Sequence, residues 1–211
     1  MGGLVVGTAA AGGIAFGIAR QQPHSPVVVP STGSIPEPPT VSSVDGVLDL
    51  EIRVAPATLD IGGVPVGMLA YNGSVPGPTL RVRAGDRIRI GFTNGIDSPT
   101  NLHTHGLWVS PEGTGDNPIR MFEPGAGGDY EYTLPDDQAP GVNWYHPHHH
   151  GLTAEQVFGG LYGAIIVEDP PDAPVVEAVR ERVLVISDVT FDSAGTREIG
   201  RASCRERVSR C

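Results

Sequence analysis

Two short stretches hold the side chains best suited to chemistry. They read Asn101-Leu102-His103-Thr104-His105-Gly106-Leu107-Trp108 and Trp144-Tyr145-His146-Pro147-His148-His149-His150-Gly151. Each contains a His-x-His pair. In an extended strand, side chains two positions apart share a face. His103 and His105 therefore project together, with Thr104 turned away. His146 and His148 do the same, with Pro147 turned away. Two such pairs on neighbouring strands bring four imidazoles into one small volume. Copper, zinc, iron and nickel all accept imidazole, so the spacing indicates a metal site and leaves the metal open. A single His-x-His on a strand is more often an ordinary half-exposed pair. Two pairs in one domain, each followed by a glycine that permits a turn or close backbone approach, are harder to explain that way.

The elements that must position these pairs read as strands. From Gly46 the sequence alternates, with Leu48, Leu50 and Ile52 facing one way and Asp49, Glu51 and Arg53 the other, which predicts a half-buried antiparallel strand. A second strand is expected over Val64 to Tyr71, and Val75-Pro76-Gly77-Pro78 reads as a turn. Leu80 and Val82 enter a strand, Ala84-Gly85-Asp86 turns it, and Ile88 and Ile90 continue on a return strand. Arg81, Arg83, Arg87 and Arg89 occupy the opposite, solvated face. Residues 110 to 128 read as a long loop, and Asp129 to Leu134 alternates again, with Tyr130 and Tyr132 on one face. Residues 151 to 157 suit a short helical turn, and Leu161 to Val167 is an apolar run of strand length.

The composition agrees with a β-rich, turn-rich chain. It has 211 residues, with 29 Gly, 20 Pro and only 18% charged residues, unlike a helical bundle or a disordered tail. A formal charge of −10 argues against a nucleic-acid partner. Both cysteines, Cys204 and Cys211, lie at the extreme C-terminus, so no disulfide framework is expected.

The ends of the chain are of a different character. Residues 1–20 carry no charged side chain before Arg20 and suit a signal sequence or membrane anchor. Residues 21–45 form a Pro/Ser-rich linker that cannot bury a core. A folded domain is expected over 46–169, and 170–197 supplies a linker and the opening strand of a second domain. Residues 198–211 lack apolar periodicity and resemble the translation of a sequencing adapter, so they are expected to be non-native. An uninterrupted source gene encoding this tail would overturn that expectation.

The histidine stretches resemble the two histidine motifs in the first cupredoxin domain of multicopper oxidases, the family of laccases, bilirubin oxidases and bacterial copper-resistance oxidases. Tyr71-Asn72-Gly73-Ser74-Val75-Pro76-Gly77-Pro78-Thr79-Leu80 and Gly159-Gly160-Leu161-Tyr162-Gly163-Ala164-Ile165-Ile166-Val167-Glu168-Asp169 resemble further family segments in the same order. The resemblance implies an all-β fold, a cupredoxin-like Greek-key β-sandwich followed by the start of a second cupredoxin domain. It implies copper as cofactor, with His103 on the type 2 copper and His105, His146 and His148 on the type 3 pair of a trinuclear cluster. It assigns no catalytic acid, base or nucleophile. His149 and His150 match no ligand position, while Gln156, Trp108 and Trp144 are expected to support the ligands.

The partners implied are dioxygen and a small reducing substrate or metal ion. The setting is exported: periplasmic, extracellular or membrane-anchored outside the cytoplasm. Position 147 is Pro where a type 1 site would need Cys, so that copper is expected on a later domain. The chain then reads as the N-terminal piece of an oxidase, inactive alone. Two other readings stand beside it: a non-catalytic copper carrier and a truncated two-domain copper oxidase.

Overall fold

In the computed structural model of the chain, the described residues are 37–174, 181–190 and 207–210. The candidate leader over 1–20 and most of the linker over 21–45 lie outside them. All described residues belong to one compact unit, Ser31–Cys211. Among them, no helix is long and apolar enough to cross a membrane.

Two mixed sheets make a sandwich. The first contains β1 (Thr40–Ser42), β4 (Thr79–Val82), β9 (Gly163–Val167), β8 (Gly141–His146) and β6 (His103–His105), in the order β1-β4-β9-β8-β6. The second contains β2 (Val47–Ile61), β3 (Val64–Tyr71), β5 (Arg87–Asn94) and β7 (Gly127–Thr133), in the order β3-β2-β5-β7. Alternation along each strand delivers apolar side chains to the space between the sheets. Leu80, Val82, Tyr145, Ile165 and Val167 come from one side, and Leu48, Ile52, Ile88, Ile90, Phe92, Tyr130 and Tyr132 from the other, in a single buried cluster. This is the expected cupredoxin-like β-sandwich. A short helix, α1 (Thr153–Phe158), links β8 to β9, and β10 (Val183–Ile186) pairs antiparallel with β11 (Arg207–Arg210).

Three expectations change. The strand beginning near Gly46 is antiparallel to β3 but parallel to β5, with Leu48 opposite Ile88 and Ile52 opposite Phe92. β4 and β5 do not form a hairpin but lie in different sheets. The turn between them arches across the sandwich: Asp86 accepts a hydrogen bond from the Arg83 amide, its carbonyl accepts one from Leu134, and Gly85 has a φ of 83°. Period-two alternation looks the same for a hairpin and for an arch, because both keep one face inward. Finally, the sandwich begins before residue 46: β1 pairs parallel with β4, Val41 packs on the core, and the Ser43 hydroxyl donates to Asp86.

Three of the four outward arginines are paired with carboxylates. Arg81 bridges Glu168 and Glu181, Arg89 pairs with Asp49, and Arg87 with Glu131.

Tyr145 locks the centre of the first sheet. Its ring is fully buried, its hydroxyl donates to the Pro78 carbonyl at 2.7 Å, and it lies against Tyr71 at a centroid distance of 5.4 Å. Gly163 leaves the room it needs, since a methyl group at 163 would overlap the Tyr145 ring. Gly163→Ala is therefore expected to destabilise the chain by about 1–3 kcal/mol through overpacking. Gly67→Ala, where a methyl group meets nothing within 4 Å, should change stability by no more than about 0.5 kcal/mol. Urea denaturation of both variants checks the pair, and equal midpoints would refute the packing argument.

Candidate metal centre

Among the described residues β6 is the edge strand of the five-stranded sheet, and it pairs with β8. The register sets His103 opposite His146, Thr104 opposite Tyr145, and His105 opposite Trp144. Thr104 and Tyr145 point inward and are buried. The imidazoles stand on the other face. All four expected ligands meet there. Ring centroids are 4.8 Å apart for His103 and His105, 5.7 Å for His103 and His146, 5.0 Å for His103 and His148, and 6.1 Å for His146 and His148.

Hydrogen bonds fix which nitrogen each ring presents. His103 Nδ1 lies 3.0 Å from Asp116 Oδ1. A carboxylate accepts only, so Nδ1 carries the proton and Nε2 keeps its lone pair. The same carboxylate accepts from the Thr104 amide and the Thr104 hydroxyl. His146 Nδ1 lies 2.7 Å from the Pro147 carbonyl, so it too is protonated at Nδ1 and bears its lone pair on Nε2. His105 Nε2 sits 2.9 Å from that atom, and in this tautomer it donates the proton between them. His148 follows the end of β8. Its amide donates to Asn101 Oδ1 at 2.6 Å, and Asn101 Nδ2 donates to the Pro118 and Arg120 carbonyls. Buried Asn101 thereby ties the second histidine stretch to the loop that carries Asp116.

Around the cluster, Gln156 is buried, accepts from the Thr100 hydroxyl and donates to the Pro99 carbonyl, holding the approach to β6. Gln138 accepts from the Trp108 amide and donates to the Gly106 carbonyl. Gly106 has a φ of 86°, and a side chain there would collide with Asn143. Trp144 stacks against His105 and His146, whereas the Trp108 side chain is mostly exposed. His149 serves through its carbonyl, which accepts from the Leu152 and Thr153 amides at the start of α1, and His150 is exposed. Asp116, Asn101 and Gln138 escaped sequence reasoning. Each lies in irregular backbone, where no periodicity singles it out.

The donor set suits a cation that prefers nitrogen. His103 and His146 present Nε2 lone pairs, and there is no cysteine among the described residues. Among the described residues, no three His, Cys, Asp or Glu side chains group around one ion position. The imidazoles present fit such a cation.

Burial pushes the His146 imidazole down to about 4 from an ordinary 6.5, with the neighbouring imidazoles adding to the effect and the Pro147 carbonyl opposing it. His105 is lowered as well, first by desolvation and then by His103 and His148, with Asp116 opposing. Both rings are thus held neutral, the form that binds a metal. Between pH 6.5 and about 4 the unfolded chain binds more protons at position 146 than the folded chain does. That contribution to stability is complete above the unfolded value and is lost as pH falls through the folded one. Melting temperatures of the metal-free chain should fall across this window, and by less in His146→Gln. Identical pH profiles for the two proteins would contradict the assignment.

A family model for multicopper oxidases matches residues 53–172. The chain is 36% identical over 137 residues to multicopper oxidase MmcO of Mycobacterium tuberculosis, covering 64% of this chain and 25% of that protein. It is 35% identical over 127 residues to multicopper oxidase mco of Staphylococcus haemolyticus, covering 59% of this chain and 28% of that one. Among solved structures, a variant of the McoA multicopper oxidase from Aquifex aeolicus aligns with a TM-score of 0.65 at 28% identity, over 78% of this chain and 37% of that one. The chain thus spans only about a quarter of the length of these curated relatives. The matched segment is more than half of the chain and includes both strands that carry the imidazoles, and by that match the chain belongs to the multicopper oxidase family.

Proposed function

We propose that this chain contributes the first-domain half of a trinuclear copper cluster in an oxidase. His103 would hold the type 2 copper, and His105, His146 and His148 the type 3 pair. The observation that carries this reading is the gathering of four imidazoles, three on the β6–β8 pair and the fourth just past the end of β8. Copper bound there supplies one-electron chemistry that couples oxidation of a small reducing substrate or metal ion to reduction of dioxygen to water.

The protein's own contribution is positional. Asp116 holds the His103 proton on Nδ1 and turns Nε2 outward, the carboxylate–histidine arrangement that orients ligands and raises their basicity. The Pro147 carbonyl does the same for His146. Burial keeps His146 free of a competing proton. Asn101 fixes the backbone from which His148 projects.

The remaining ligands and the type 1 copper belong, on this reading, to later domains that β10 would begin. The apolar segment 1–20 and the linker after it support export, with the domain outside the cytoplasm.

Copper titration of the purified chain tests the assignment. Binding should be weak and without an intense blue band, because that colour requires a copper–thiolate bond. Replacing Cys204 and Cys211 by Ser should change neither result. Asp116→Asn should weaken binding about tenfold, and His105→Ala should weaken it as well. A strong blue band in the double-Ser protein, or unchanged affinity in His105→Ala, would overturn the reading.

A further inference from the structure

The two imidazoles joined by a hydrogen bond, His105 and His146, share one floor. Trp144 faces His105 directly across the strand pair and precedes His146 by two positions on the same strand face. Its ring lies 4.8 Å from His105 at an interplanar angle of 19°, and 4.2 Å from His146 at 16°. His105 and His146 are themselves 4.9 Å apart and within 18° of parallel. A linear stack of three rings would put the outer two about twice as far apart as neighbours. The measured distances instead describe two imidazoles side by side over one indole. Their Nε2 atoms meet edge to edge, 2.9 Å apart.

The other two ligands are steadied differently. His103 is held by Asp116, and the His148 backbone by Asn101. Among the described residues, the His105 ring makes a single hydrogen bond, to His146 Nε2. That bond has to break, and the His105 proton has to pass from Nε2 to Nδ1, if both Nε2 lone pairs are to turn toward a cation. The indole contact can persist through the change, and it suits the loaded state. The face of an aromatic ring is electron-rich, and an imidazole that has given its lone pair to a cation becomes electron-poor, so the attraction between them grows.

We propose that Trp144 is a positioning residue: its indole fixes the orientation of His105 and His146 together, so that both Nε2 atoms address the same region. Its purpose rests on the copper reading above, but the ring geometry can be tested without copper.

The test uses the full chain with Trp144→Leu and Trp144→Phe. In the metal-free wild-type protein, NMR of the imidazole ring protons should show His105 and His146 shifted upfield by the indole ring current, each in one tautomer and one rotamer. In Trp144→Leu both should lose the shift and average over rotamers, while His103, held by Asp116, keeps a single tautomer and rotamer. His103 is the control, since general loosening of the fold would free its ring too. Trp144→Phe, whose ring is too narrow to underlie both imidazoles, should leave at least one of them freed, and it keeps the test readable if the leucine variant does not fold.

Titration with Cu(II) alone should then show affinity reduced about tenfold or more in Trp144→Leu, and by less in Trp144→Phe. Wild-type imidazole spectra for both rings in the two variants, or rotamer averaging of His103 alongside them, would overturn the proposal. Wild-type copper affinity in Trp144→Leu would overturn it too. If the wild-type protein takes up no copper while its imidazole spectra respond as described, the copper reading falls and the shared floor stands.

Discussion

The site depends on the register of a three-residue strand. β6 contributes only His103, Thr104 and His105 to its pairing with β8, and a slip of one residue would exchange the two faces. The imidazoles would turn into the sandwich, and Thr104 would turn out. What prevents this lies mostly on the inner face. Thr104 is held to Asp116 through both its amide and its hydroxyl. Opposite it, Tyr145 is pinned by Pro78 and by the space over Gly163. Beyond the strand, Gly106 takes a left-handed conformation against Asn143, which no other residue type could adopt there without strain. The inner residues hold the outer imidazoles in place.

Asp116 joins this structural role to an electrostatic one. Its carboxylate receives the strand's own amide and hydroxyl, and in the same geometry it takes the Nδ1 proton of His103. One side chain therefore sets both the position of the strand and the tautomer of a ligand. His146 reaches the same tautomer by another route, through a carbonyl one residue along and through burial that disfavours its charged form. Neither device costs the site a formal charge at the rings. That suits a cluster whose ions change oxidation state, because neutral donors accommodate both states without adding to the charge that must be balanced.

Period-two alternation made the strands, the inward faces of Leu48, Ile52, Tyr130 and Tyr132, and the shared face of His103 and His105 legible in the sequence; His148 joins the group from beyond the end of β8, where alternation no longer applies. The same signal could not tell which sheet a strand joins, so the arch between β4 and β5 looked like a hairpin. Alternation says which way a side chain points, and pairing partners are chosen by contacts distant in the chain. β1 was missed because three residues after a proline-rich run are too few to show a period. Asp116 and Asn101 were missed for a related reason: each sits in irregular backbone, and what marks them is a set of hydrogen bonds to residues far away in sequence. Trp144 stood out in the sequence, but its place beneath two imidazoles follows from cross-strand register and from side-chain torsions that no spacing rule gives.

The pattern of exposure along the histidine face bears on how such a site is completed. His146 is buried and His103 largely so, while His105 and His148 are open to solvent. A closed metal site would bury all its ligands, since water competes for the ion and screens its charge. Here the buried pair is locked by Asp116 and Pro147, and the open pair borders solvent at the edge of the sheet. An edge position leaves one side of the imidazole group accessible to a second protein surface without disturbing the sandwich behind it. On the copper reading proposed above, the fold would separate two tasks: the inner imidazoles are oriented by Asp116 and Pro147 in the metal-free chain, and the outer ones border solvent where another surface could meet them.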